Sequence, residues 1–113
     1  MRIIVIDDDI GASRAVQVLL APIAVDIETD PIRALAVLPR YDVAIVDVGL
    51  PGLRGDTLVW TLRALHGERP RVVLISGRTQ DELAMLAEKC GANATLMKPF
   101  SAAALAEIVR GWG

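Results

Sequence analysis

Two apolar patterns alternate along the chain. Ile3-Ile4-Val5-Ile6, Val43-Ala44-Ile45-Val46 and Val72-Val73-Leu74-Ile75 are unbroken apolar runs rich in β-branched residues. Runs with no polar face predict strands covered on both sides, as in a parallel sheet packed between helices. Residues 24–28 read as a weaker strand with one exposed side, and Ala94–Met97 as a short fifth strand. Helical periodicity fills the gaps. A first helix is predicted over residues 10–21, ending near Pro22. A second opens at Asp30-Pro31, an N-cap followed by proline at the first helical position. A third covers residues 55–65, with Leu58, Val59, Leu62 and Leu65 on one stripe. A fourth opens on the capping box Thr79-Gln80-Asp81-Glu82 and closes at Gly91, after Cys90. A fifth runs from near Ser101 to about Arg110.

Strand and helix thus alternate five times. Helical crossovers make the strands parallel and the crossovers right-handed. The expected fold is a flavodoxin-like, doubly wound five-stranded parallel sheet of order 2-1-3-4-5, with helices on both faces. With 113 residues and no linker, repeat or low-complexity tract, residues 1–113 read as a single domain. An apolar content of 53% supports a core without disulfides or a structural metal, and one cysteine excludes an internal disulfide. With a net charge of −2, nothing in the chain is basic enough to bind nucleic acid by charge alone. No apolar run reaches membrane length, and three aspartates at once after the first strand exclude a signal peptide. A cytoplasmic protein is expected.

In open parallel sheets, ligands bind beyond the carboxyl ends of the strands. The first strand ends in Asp7-Asp8-Asp9, the third in Asp47, the fourth in Ser76-Gly77 and the fifth in Lys98-Pro99. Several carboxylates, a hydroxyl and an ammonium should therefore share one rim. Two like charges about 4 Å apart repel by roughly 4 kcal/mol at an effective dielectric near 20. Either the carboxylate pKa values rise or a cation sits among them. Mg²⁺, which takes few carboxylates together with waters and phosphate oxygens, suits this inventory. A carboxylate can also attack phosphorus to give an aspartyl phosphate, a reaction that needs mainly positioning and charge neutralisation.

These segments resemble the response regulator receiver domain of two-component signalling. Ile4-Val5-Ile6-Asp7-Asp8-Asp9 resembles its acidic pair. Residues 44–55, from Ala44 through Asp47 and Leu50-Pro51-Gly52 to Gly55, resemble its phosphoacceptor segment. Val73-Leu74-Ile75-Ser76-Gly77 resembles its hydroxyl strand, and Leu96-Met97-Lys98-Pro99-Phe100 its lysine-proline segment. All four occur in order, with 39, 29 and 22 residues from Asp8 to Asp47 to Ser76 to Lys98. The resemblance implies that Asp47 is phosphorylated by a histidine kinase or histidine phosphotransfer protein. It implies that Asp8, Asp47 and the Gly49 backbone carbonyl bind Mg²⁺ directly and Asp7 mostly through water. Ser76 and Gly77 would meet the phosphoryl group, Lys98 would pair with Asp47 and then with that group, and the Lys98–Pro99 bond would be cis. Partners would include an effector protein or output domain, and a phosphorylation-dependent homodimer is compatible with it. The chain departs from the family at Gly49, which has no side chain to shield the product, and at Thr95, where the family often has an aromatic ring that swings inward. Arg78 flanks the opening, and a short fifth helix alters the usual partner face.

The remaining chemistry-bearing residues read as structural. Cys90 is a small packed group at a helix end, His66 an exposed loop residue beside Gly67, and Trp60 and Trp112 partly buried or surface aromatics. Two rivals remain. A haloacid-dehalogenase-like phosphatase would use Asp7-Asp8-Asp9, Ser76 and Lys98, but it needs an acidic pair after the lysine, where Glu107 is the only acid. A receiver-like interaction module without phosphorylation would bind no Mg²⁺.

Overall fold

The computed structural model describes residues 1–113. Strands β1 (Ile3–Ile6), β2 (Val25–Glu28), β3 (Val43–Asp47), β4 (Arg71–Ser76) and β5 (Ala94–Met97) alternate with helices α1 (Ile10–Leu20), α2 (Pro31–Val37), α3 (Gly55–His66), α4 (Gln80–Cys90) and α5 (Ala102–Trp112). A 3₁₀ turn, Leu38–Arg40, extends α2. The sheet order is β2-β1-β3-β4-β5 and every pairing is parallel, the order expected from sequence.

Period-two alternation splits the strands between two cores. Ile4, Ile6, Ala44, Val46, Val72 and Leu74 face α2, α3 and α4, where Ala34, Leu58, Leu62 and Leu83 meet them. Ile3, Val5, Val43, Ile45, Val73 and Ile75 face α1 and α5, through Val16, Leu20, Leu105 and Val109. Both faces are covered, which is why these runs carry no polar position. β2 is an edge strand and keeps Asp26 exposed.

Side-chain capping explains the start of four of the five α-helices. Asp9, Asp30, Thr79 and Ser101 each accept a hydrogen bond from the backbone N–H two or three residues on. Gly91 ends α4 in the left-handed conformation at φ 87°. Of the capping box expected at Thr79, only the bond from Glu82 N–H to Thr79 Oγ1 forms. Three expectations need correction. Leu65 is 64% exposed rather than on the buried stripe, because the stripe ends at Leu62 as α3 leaves the core. His66 is the last residue of α3, not a loop residue. The fifth helix is not cut short at Arg110: it continues through Gly111 to Trp112, whose side chain packs on the α1/α5 core and beneath the Arg71 guanidinium. Packing there offsets the low helix propensity of Gly111. The Lys98–Pro99 bond is cis as expected, and so are Ala21–Pro22 and Arg69–Pro70. No helix is long and apolar enough to cross a membrane.

Candidate functional site

Parallel register places the carboxyl ends of the central strands on one rim. Asp7 follows the last residue of β1, Asp47 ends β3, Ser76 ends β4, and Lys98 follows β5. Asp47 lies opposite Ile75, and Ser76 opposite Met97. Three of these polar groups are nearly sealed: Asp7 is 1% exposed, Ser76 5% and Asp47 9%. Asp8 is exposed.

The carboxylates of Asp7, Asp8 and Asp47 converge, each offering an oxygen within 4.8 Å of the others. Lys98 crosses from the sheet edge to meet two of them. Its Nζ donates to Asp7 Oδ2 at 3.1 Å and lies 3.5 Å from Asp47 Oδ2. The shorter contact is with Asp7, whereas the resemblance implied pairing with Asp47. Asp7 is held from both sides, since its Oδ1 accepts from the Asp9 N–H at 3.0 Å. Asp9 itself caps α1 and takes no part in the cluster.

The electrostatics follow from this crowding. Burial pushes the Asp47 pKa up, the charge of Asp7 pushes it further, and Lys98 and the Gly49 backbone only partly oppose them. Burial would lower the Lys98 pKa, but its hydrogen bond to Asp7 and the charges of Asp47 and Asp7 prevail and raise it. Lys98 therefore stays an ammonium, and one cation faces three carboxylates. An all-oxygen, acidic donor set with a surplus of negative charge fits a hard metal ion.

A Cβ on Gly55 would lie 2.0 Å from the Asp47 carbonyl oxygen, so only glycine lets α3 begin directly against the Asp47 main chain. Gly49 is exposed at the mouth, where a Cβ would sit 3.7 Å and 4.0 Å from the two Asp47 carboxylate oxygens. A Cβ on Gly77 would meet nothing. Ser76 Oγ accepts from the Arg78 N–H at 3.1 Å, and its own proton has no protein acceptor.

Residues 3–110 match the model of the response regulator receiver domain. The chain belongs to this family. It is a signalling domain of two-component systems rather than a turnover enzyme. It is 28% identical over 113 residues to chemotaxis protein CheY-3 of Vibrio cholerae, covering 95% of this chain and 87% of that protein. It is 35% identical over 112 residues to the transcriptional regulatory protein QseB of Haemophilus influenzae, covering 96% of this chain but 49% of that longer protein. Among solved structures, the Vibrio cholerae chemotaxis protein CheY4 superposes with a TM-score of 0.88 at 26% identity, covering 99% of this chain and 98% of that one.

The structure thus brings together Asp7, Asp8, Asp47 and Lys98 of this receiver domain, with Gly49 beside the Asp47 carboxylate and Ser76 and Gly77 at the end of the neighbouring β4. Sequence reasoning missed the grip of the Asp9 amide on Asp7, which a buried acid two residues before an N-cap could have suggested. It also missed Gln80, whose side-chain amide donates to Thr95 Oγ1 at 3.1 Å.

Proposed function

We propose that this receiver domain is a phosphorylation switch in which Asp47 accepts a phosphoryl group from a histidine kinase or histidine phosphotransfer protein, in a Mg²⁺-dependent reaction, and so changes its affinity for an effector or output domain. The observation that carries this reading is the nearly sealed Asp47 carboxylate, 3.5 Å from the Lys98 ammonium and clustered with Asp7 and Asp8. Asp8, Asp47 and the Gly49 carbonyl would hold Mg²⁺ directly. Asp7 would act through water, since both its oxygens already accept protein hydrogen bonds. When bound, Mg²⁺ supplies charge neutralisation at the phosphoryl oxygens.

The chain's own residues do the rest. A lone pair on an Asp47 carboxylate oxygen forms the new O–P bond, while the bond from phosphorus to the donor's leaving atom breaks and its electron pair departs with the donor. Lys98 offsets charge on the equatorial oxygens. Ser76 has a free hydroxyl proton to donate to one of them. Gly77 and Gly49 leave the mouth open to the incoming group.

Intact-mass measurement after incubation with acetyl phosphate and Mg²⁺ tests this. One phosphoryl group per chain is expected in the wild type, and none in Asp47→Asn or with the metal chelated. Labelling of Asp47→Asn near the wild-type level means that another residue accepts the group.

A further inference from the structure

A cavity of about 950 Å³ lies at the other rim of the sheet, away from the acidic cluster. It opens where β3 and β4 begin, at Val43 and Arg71, and where α3, α4 and α5 end. Its walls carry the guanidiniums of Arg63, Arg69 and Arg71 and the carboxylates of Asp42 and Glu68. Most of these groups are already engaged. Arg63 donates to the carbonyls of Gly67, Pro70 and Gly91 and to Asn93 Oδ1, which answers the negative ends of α3 and α4. Asp42 accepts from the Arg69 guanidinium and from the Arg2 N–H. Glu68 is exposed in the loop after α3.

Two donors are left over. The Arg71 guanidinium lies over the Trp112 ring, 5.8 Å from its centroid, and forms no ion pair. Asn93 Oδ1 accepts from both Arg63 Nη2 and the Val72 N–H. Both neighbours are donors, so the amide faces them with its oxygen, and its NH₂ group is turned the other way with both protons free. Val72 directly follows Arg71, and Arg71 and Asn93 line the same cavity.

We propose that this cavity binds a small ligand through a phosphate group, held by the Arg71 guanidinium and the Asn93 amide, with Trp112 and Val43 beside the rest of the molecule. A guanidinium without a carboxylate partner and an amide of fixed orientation offer charge-assisted and neutral donors to the same oxyanion. Three guanidiniums against two carboxylates leave the lining one net positive charge. Small-molecule sites span roughly 300–1,000 Å³, so a cavity of about 950 Å³ has room for an organic body as well as the phosphate. Nothing here depends on Asp47 being the phosphoacceptor.

Heteronuclear NMR titrations with adenosine monophosphate, inorganic phosphate and acetate, at matched ionic strength, test this. The readouts are the Asn93 side-chain amide and the Trp112 indole N–H. EDTA is present throughout, so that no Mg²⁺ draws phosphate to the acidic cluster. Adenosine monophosphate should shift both groups and saturate at roughly 1 mM or below. Tighter binding of adenosine monophosphate than of inorganic phosphate assigns the site to a phosphate ester, and equal binding assigns it to the free ion. Asn93→Asp keeps the acceptor for Arg63 and Val72 and puts a negative oxygen in place of the free donor. Arg71→Gln removes the charge at an exposed position and serves should Asn93→Asp fail to fold. Each variant, read at the Trp112 indole, should bind at least roughly tenfold more weakly, the effect of losing one charge-assisted hydrogen bond. Absence of saturation by roughly 10 mM of either phosphate probe overturns the site. So does wild-type affinity in Arg71→Gln or Asn93→Asp, or acetate that binds as tightly as phosphate.

Discussion

Lys98→Met removes one ammonium and keeps most of the apolar stem, which isolates what the charge does. At an effective dielectric near 20, contacts of 3.1 Å to Asp7 and 3.5 Å to Asp47 correspond to gross attractions of roughly 5 kcal/mol each. The two carboxylates, at most 4.8 Å apart, repel by at least roughly 3.5 kcal/mol. Without Lys98 the repulsion stands alone, and the Asp7 side chain, 1% exposed, is left charged with one remaining donor. Losing one partner of a fully buried pair costs about 3–5 kcal/mol. The Lys98 side chain is 33% exposed, so solvent screens part of this, and about 2 kcal/mol is the expected loss near neutral pH. The sign of the pH dependence follows from Asp47. Its native pKa is raised, chiefly by burial and then by Asp7, so the folded state binds a proton more readily than the unfolded chain. Stability therefore falls as pH rises from the ordinary carboxylate range through the raised native value, and levels off above it. Removing Lys98 takes away a lowering influence and widens that window. Urea unfolding should show the variant nearest to wild type at the acid end of this window and furthest below it once the pH has passed the raised native value. Mg²⁺ should recover part of the deficit by occupying the cluster of acids. A deficit below about 0.5 kcal/mol, or one indifferent to both pH and Mg²⁺, refutes this electrostatic account.

Two further substitutions probe the frame around the site. Gly55→Ala drives a Cβ to 2.0 Å from the Asp47 carbonyl oxygen, a clash with backbone that should cost at least about 3 kcal/mol in urea unfolding and slow phosphoryl uptake by displacing Asp47. Ser13 is fully buried in α1 and its hydroxyl has no hydrogen-bond partner, so Ser13→Ala should raise stability by about 1 kcal/mol, visible as a higher urea midpoint at unchanged slope.

The sheet was legible because its central strands are buried on both faces. Ile3–Ile6, Val43–Asp47 and Arg71–Ser76 show almost no polar interruption, and the first polar residue after each apolar run marks the rim. The membership of the acidic cluster was legible for the same reason. What the strand ends do not specify is how a long side chain divides itself between acceptors: Lys98 lies nearer Asp7, whose other carboxylate oxygen accepts from the Asp9 amide, than Asp47. Steric demands were equally hidden. Gly55 reads as an ordinary loop or helix-start glycine, and only coordinates reveal the Asp47 carbonyl beneath it. The extension of α5 through Gly111 was missed because local propensity argues against it, while Trp112 gains contacts from distant β4. The Gln80–Thr95 bond joins two polar residues of unremarkable pattern across fifteen positions, and no periodicity points to such a pair.

The most direct measurement is the position of the acyl phosphate among three neighbouring carboxylates. Borohydride reduction of the phosphorylated protein converts the modified aspartate to homoserine, and peptide mass mapping then locates it. Homoserine at position 47 alone is the expected result. Homoserine at position 7 or 8, or at neither these nor 47 while the intact protein carries a phosphoryl group, contradicts the assignment of Asp47.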